Sequence, residues 1–341
     1  MEASYLFWRS RRVAITGATG FIGHHLTTRL TNLGAKVIAL VRVNSKTERL
    51  RALGVDCTIA SLDEPEAMAR AFSGCDLVFH LAGAVDFGNS WKPFRKANVE
   101  GTAHVYSAAR TAGVRRFVHT SSIVAVGADK RPVSIDETAS WNLGRLQIPY
   151  VTTKREGEAK ALAFAESSEV IVVNPGCVVG PDDYTSSEFG TLCKRFWRGR
   201  IPFYFGGGNN FVDVRDVAEG MLLAAEKGRS GERYILGNEN LTYSAFFSLL
   251  TRVSGNRTFR IRLPNFMARL GALAIEACTH SRRPSLSRSQ ARLMGLYLFF
   301  DCGKARRELG YSPRPLEAAL VDAHQFWMVK KATKRLMEAP V

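Results

Sequence analysis

Apolar positions keep two alternating rhythms through the first half of this chain. Short apolar runs fall at 13–16, 37–41, 55–59, 77–81, 117–119 and 170–173. Between them, apolar residues recur at helical spacing near 22–33, 64–72, 98–112 and 150–166. Runs with no polar alternation suit strands buried on both faces, and their alternation with helices predicts an α/β fold with a doubly wound parallel sheet. Gly34, Gly74 and Gly113 stand where the helices should stop. From Gly176 onward the rhythm loosens, and the run GGGNN at 206–210 reads as a loop. A smaller mixed α/β lobe is expected there, closing over the carboxyl ends of the strands, where open α/β sheets bind ligands. The division this suggests is a nucleotide-binding part at 1–175, with 211–237 returning to it. The substrate lobe would take 176–210 and 238–330, and 331–341 would form a basic tail.

Three glycines punctuate the first strand-to-helix turn. In VAITGATGFIGHHL, residues 13–26, they are Gly17, Gly20 and Gly23. Such a turn needs one residue free to take unusual dihedrals and one without a Cβ, so that a ligand can approach the backbone. A third must be small enough for helix and strand to pack closely. The helix start then offers free N–H groups and a positive dipole end to a pyrophosphate. Thr19, Phe21 and Ile22 share the turn. The spacing G-x-x-G-x-x-G departs from G-x-G-x-x-G, so it points to a dinucleotide site of another subclass and to a Rossmann-type sheet.

A second stretch carries chemistry. In YVTTKREGEAKAL, Tyr150 and Lys154 lie four apart on one helical face. A free phenol titrates near 10, too high for a proton carrier at neutral pH, and an ammonium one turn away stabilises the phenolate. The run HTSSIVAVG, 119–127, ends the fifth strand with serines at the carboxyl edge, where a hydroxyl can hold a substrate oxygen.

Together these features resemble the extended short-chain dehydrogenases/reductases, from Val13 to about Trp327. The likeness extends to HLAG (80–83), NVEGT (98–102), VNPGCVVGP (173–181) and FVDVRDVAEG (211–220). The dihydroflavonol-reductase-like and 3β-hydroxysteroid-dehydrogenase-like branches are most similar. The hopanoid-associated sugar epimerases also resemble the chain, in GERYILGNENLT and RELGYSPRPLEAAL. The resemblance implies that Tyr150 donates or accepts the proton, that Lys154 lowers its pKa and holds the nicotinamide ribose, and that Ser122 positions the substrate oxygen, with Ser121 the alternative. It also implies that the glycines carry the pyrophosphate and that Leu81, Ala82 and Gly83 border the ribose and nicotinamide. Pro175 would begin the segment orienting the nicotinamide, and Asn98 would tie its helix to the site, although a helix cap and a turn proline explain those two equally well. Relatives pair through the helix bearing Y-x-x-x-K, where this chain has Ala159, Leu162, Ala163 and Ala165, so a homodimer is expected.

The NAD pattern places an acid about 20 residues past the glycines. This chain has Arg42 through Lys46 with no acid until Glu48, so Arg42, assisted by Lys46, suits a 2′-phosphate and NADP(H) is favoured over NAD(H). Where the family usually has Gly-Asp-Leu after the third strand, Ala60, Ser61 and Leu62 weaken the adenine contact. Dehydratases carry Asp-Glu after the strand-five hydroxyl, and Ile123 and Val124 stand there instead. Cys177 replaces the asparagine usual in epimerases. Trp197, Phe203, Tyr204, Phe205 and Phe211 lie near the loops of the lobe. The reading is oxidation or reduction of a secondary alcohol or ketone on a hydrophobic, dihydroflavonol- or 3β-hydroxysteroid-like substrate. A nucleotide-sugar epimerase is the alternative, and a non-catalytic NADP-binding sensor the alternative of another class.

Composition adds limits. The six cysteines are scattered without a ligand pattern, which argues for a reduced compartment and against metal. The amino-terminal apolar cluster is too short for a signal peptide, and no run reaches the ~20 apolar residues of a membrane span. A cytoplasmic protein is expected. The net charge is +16, of which +8 falls between Arg252 and Arg292, with nine arginines against Glu276 alone. No nucleic-acid-binding signature accompanies it. The apolar stretch from Phe266 to Cys278, followed by Arg282, Arg283, Arg288 and Arg292, allows peripheral contact with an anionic membrane.

Overall fold

The computed structural model describes residues 2–85, 90–257, 260–278 and 287–337. A short helix, α1 (Glu2–Trp8), precedes β1 (Arg12–Thr16), α2 (Phe21–Asn32), β2 (Lys36–Val41), α3 (Glu48–Ala52), β3 (Asp56–Ile59), α4 (Pro65–Phe72) and β4 (Leu77–His80). Then come α5 (Trp91–Arg95), one π-helical turn (Lys96–Glu100), α6 (Gly101–Thr111), β5 (Arg116–Thr120), α7 (Pro149–Ala163) and β6 (Glu169–Pro175). The second half holds β7 (Cys177–Val179), α8 (Glu188–Trp197), β8 (Phe203–Tyr204), β9 (Gly208–Asp213), α9 (Val214–Lys227) and β10 (Arg233–Leu236). It closes with β11 (Glu239–Thr242), α10 (Tyr243–Ser254), β12 (Ile261–Arg262), α11 (Asn265–Cys278), α12 (Arg288–Leu293), β13 (Tyr297–Leu298), α13 (Gly303–Leu309) and α14 (Leu316–Met337).

Seven strands form a parallel sheet in the order β10-β6-β5-β4-β1-β2-β3. The order reverses between β1 and β4, and the crevice at their carboxyl ends is where such sheets take ligands. Both faces are covered, which is why the strands read as unbroken apolar runs. Val13 and Ile15 face a core shared with Leu26 and Leu30 of α2 and Met221 and Leu222 of α9. Ala14 faces the opposite core, with Met68 and Phe72 of α4 and Val105 and Tyr106 of α6. Helix α1 closes the first core with Trp8, fully buried, whose Nε1 donates to Glu226 at 2.5 Å.

The run read as a loop at 206–210 is in part a strand. Residues 208–213 form β9, the centre of a second sheet with β7, β11 and β13. A Cβ on Gly208 would meet the Leu241 carbonyl at 2.6 Å and the Phe299 ring at 2.7 Å, so glycine serves close packing there rather than a turn. The amide of Asn209 bonds the Tyr243 hydroxyl and that of Asn210 bonds Asn240, each at 2.8 Å, which satisfies polar groups a buried strand could not otherwise carry. Of the stretch 211–237, α9 and β10 join the large sheet while 211–213 stay in the small one. The lobe aromatics do not line one pocket. Phe211 stacks on Phe246 at 4.0 Å, and Trp197 packs on Trp327 and His324. Residues 331–337 continue α14 instead of forming a tail, and 338–341 lie outside the described residues.

The glycine turn rests on a steric requirement. A Cβ on Gly23 would meet the Gly17 carbonyl oxygen at 2.1 Å, whereas one on Gly271, within α11, would meet nothing within 4 Å. Gly23→Ala is therefore expected to destabilise the fold by about 1–3 kcal/mol in chemical denaturation. Gly271→Ala should cost nothing, or stabilise by up to about 1 kcal/mol.

Candidate active site

The glycine turn takes its shape from β1 and β4. Gly17 has φ +79°, and a Cβ on it would meet the Ala82 nitrogen at 2.6 Å and the Leu81 carbonyl carbon at 2.8 Å. The two strand ends are pinned by Thr16, whose hydroxyl bonds His80 Nδ1 at 2.7 Å and accepts from the Ala82 N–H at 3.2 Å. His80 Nε2 reaches Thr102 at 3.2 Å. Burial holds His80 neutral, with its pKa pushed down to about 3. Gly20 is the N-cap of α2 and has no side chain to occupy the helix start. Thr19, Phe21 and Ile22 share this turn. The cradle that a Cβ would fill, together with the uncapped helix N-terminus, fits a dinucleotide pyrophosphate.

Arg42 and Lys46 are exposed just past β2, at the same edge of the sheet. The register pairs Thr16 with Leu40, so Arg42 stands beside the start of the glycine turn. The Arg42 backbone N–H donates to Ser45 at 3.0 Å, which shapes a tight turn and leaves the guanidinium outside it. Pro175 ends β6 at this carboxyl edge, buried.

Asn98 sits in the π-helical turn, and its side chain is engaged by the protein. Its Oδ1 accepts from the Ala84 N–H at 2.8 Å, and its Nδ2 donates to the Ala84 carbonyl and the Thr153 hydroxyl, both at 3.1 Å. These bonds fasten segment 83–84 to α7 and tie the π-helical turn to the site. That junction is close: a Cβ on Gly157 of α7 would meet the Asn98 carbonyl oxygen at 2.2 Å.

Ser122, Tyr150 and Lys154 converge at the ends of β5 and β6. Tyr150 hydrogen-bonds Ser122, which favours the phenolate, but burial outweighs it and pushes the phenol up to about 12. Ser121 points elsewhere, its hydroxyl buried without a partner. Lys154 Nζ donates to the Thr120 carbonyl at 2.9 Å, and burial lowers its pKa to about 8. Lys154 does not set the direction of this shift, since its ammonium is bonded to the Thr120 carbonyl and is itself disfavoured by burial. Tyr150 lies in a cluster of buried apolar residues that includes Phe94, Ile123, Leu143 and Ile148.

A supporting network escaped the sequence reading. Asn174 Nδ2 donates to the Ser122 carbonyl at 3.0 Å and to Glu158 Oε2 at 2.6 Å. Glu158, fully buried, is also paired with Arg233 at 3.0 Å and Arg155 at 3.2 Å. One signal was present. Glu158 follows Lys154 by four residues, as Lys154 follows Tyr150, so all three share a helix face. Gln290 of α12 donates to Glu188 of α8. Among the described residues no group of three His, Cys, Asp or Glu could hold a metal ion.

The family model described as NAD dependent epimerase/dehydratase family matches residues 13–237. A putative dihydroflavonol 4-reductase of Synechocystis is 32% identical over 95% of this chain and 96% of its own length. The 4-hydroxy-2-methyl-3-oxo-4-farnesyl-3,4-dihydroquinoline-1-oxide ketoreductase of Stigmatella aurantiaca is 33% identical, covering 92% of this chain and 95% of its own. The solved structure of gox2253 has a TM-score of 0.83 at 31% identity, covering 94% of this chain and 99% of that one.

The buried lysine gives stability a pH dependence of known sign. Its folded-state pKa of about 8 lies below its unfolded value. Between those two pH values the unfolded chain binds the extra proton, so stability rises with pH. The melting temperature of the wild-type protein, relative to Lys154→Met, should climb from pH 8 and level off above about 10.4. A flat difference across that window would contradict the assignment.

Proposed function

Because the chain belongs to the NAD dependent epimerase/dehydratase family and is an oxidoreductase of the extended short-chain dehydrogenase/reductase type, we propose that it interconverts a secondary alcohol and a ketone on a hydrophobic substrate with NADP(H). The observation that carries this reading is the Tyr150–Ser122 hydrogen bond at the carboxyl edge of the sheet, inside an apolar shell and one helical turn from Lys154. Such a shell favours a lipophilic ketone over a charged sugar nucleotide. Two relatives named as reductases, one of a flavonoid and one of a farnesylated ring, fit the same chemistry.

In this mechanism Ser122 Oγ and the Tyr150 hydroxyl hold the substrate oxygen between them. Tyr150 gives that oxygen its proton in reduction and takes it in oxidation. The bound dinucleotide supplies or accepts the hydride. Lys154, one helical turn from Tyr150, would bond the nicotinamide ribose and stabilise the phenolate left on Tyr150. Asn174 and Glu158 hold the Ser122 backbone still, and Asn98 does the same for the segment at 83–84. Arg42, with Lys46 nearby, would hold the 2′-phosphate, since a planar guanidinium meets a phosphate with two parallel bonds.

Tyr150→Phe removes the transferable proton without touching the glycine turn. Turnover on a hydrophobic ketone should fall by at least about 100-fold while NADPH affinity stays close to wild type. Near-wild-type turnover would remove Tyr150 from the proton path. For the cofactor, fluorescence titration should show NADPH bound more tightly than NADH, and Arg42→Asp should weaken NADPH by about tenfold or more. Equal affinities in the unmodified protein would contradict the NADP reading.

A further inference from the structure

Helix α11 is built inside out. The side chains it buries are small: Ala268 and Ala272 pack on Ala291 of α12, with Phe205 and Met294 beside them. Its large apolar side chains face outward, with Phe266 65%, Met267 39%, Leu270 59% and Leu273 47% exposed. At 100° per residue these four and Ala274 fall in a stripe about 120° wide, opposite the two buried alanines. The preceding strands extend the apolar surface, since Ile261 of β12 pairs with Phe203 of β8 and both are about half exposed. A water-facing helix would carry polar residues on that side.

Charge identifies what fits the stripe. From Arg252 to Ile275 the chain has five arginines and no acid. Arg252 faces Glu317 and Arg260 lies over the Phe196 ring, while Arg257, Arg262 and Arg269 are exposed. Arg269 flanks the apolar stripe on α11 itself. A large apolar stripe edged by arginine matches the headgroup–acyl boundary of an anionic bilayer. A second copy of the chain would bring the same positive charge against itself. Of the four arginines that follow the helix, Arg282 and Arg283 lie outside the described residues, and Arg292 is engaged by the carbonyls of Leu146 and Gln147.

Length decides between lying on and crossing. Fourteen residues make a helix about 21 Å long, short of a ~30 Å hydrocarbon layer. Among the described residues no helix is long and apolar enough to span. Position gives the contact a use. Helix α12, on which α11 rests, leads through Leu293 and Leu296 into the apolar cluster around Tyr150.

We propose that α11 docks this protein on an anionic membrane surface, its Phe266–Leu270–Leu273 face set into the acyl boundary and its arginines among the headgroups. Docking requires no catalysis, so it is tested apart from the reductase reading. The experiment is co-sedimentation of the full chain with phosphatidylcholine vesicles, with and without phosphatidylglycerol, at low and high salt. The bound fraction should rise at least about tenfold with anionic lipid at low salt and fall as salt screens the charges. The double variant Phe266→Glu/Leu270→Glu should lose that binding while keeping its melting temperature and NADPH affinity. Arg262→Gln and Arg269→Gln should each weaken it about fivefold. Hydrogen exchange of the unmodified protein on vesicles should slow in α11 and not in α4. Absence of binding, binding indifferent to the double variant, or a dimer in light scattering that Leu270→Glu dissolves would each overturn the proposal.

Discussion

The site depends on the absence of a Cβ at two crossings. Where α2 meets the end of β1, Gly23 lies against the Gly17 carbonyl. Where α7 passes the π-helical turn, Gly157 lies against the Asn98 carbonyl. Any side chain at either place would push a helix away from the sheet edge. The first crossing brings the N-terminus of α2 to the crevice between β1 and β4. The second brings the helix carrying Tyr150 and Lys154 to the end of β5. The glycine turn and the Tyr150–Lys154 pair thus stand on one edge because two backbones can touch.

Closeness of this kind encloses polar groups, and those at the centre of the site are paired within the protein or held neutral. Glu158 is paired with two arginines and the Asn174 amide, and through Asn174 it steadies the backbone of Ser122. His80 and His119 stay neutral because burial leaves no room for their charge. Lys154 is held by a carbonyl and by the distant attraction of Glu158, its own charge disfavoured. Burial likewise raises the Tyr150 phenol.

The large sheet was readable because both of its faces are buried. Val13 and Ile15 enter one core and Ala14 the other, so the strand could only be a continuous apolar run. The glycine turn was readable for a related reason, since its residue type is fixed by local geometry, whereas Ser122, Tyr150 and Lys154 were singled out by the family resemblance. The lobe was less so. The glycines and asparagines of β9 serve cross-strand packing and amide pairing, which have no local signature and imitate a loop. Glu158 was obscured because its role comes from partners far along the chain, Arg233 among them. Burial, which sets the direction of the Tyr150 shift, has no signature in helical spacing, which says that two groups are near but not how dry they are. Helix α14 runs over residues that composition alone assigned to a tail.

Turnover of a hydrophobic ketone with NADPH deuterated at the transferring carbon of its nicotinamide tests the account most directly. Mass spectrometry would follow the label in product and cofactor. The account predicts one deuterium on the new carbinol carbon and one oxidised cofactor for each alcohol formed. A label that stays with the protein-bound cofactor while a sugar nucleotide is inverted, with no net oxidation, would contradict it.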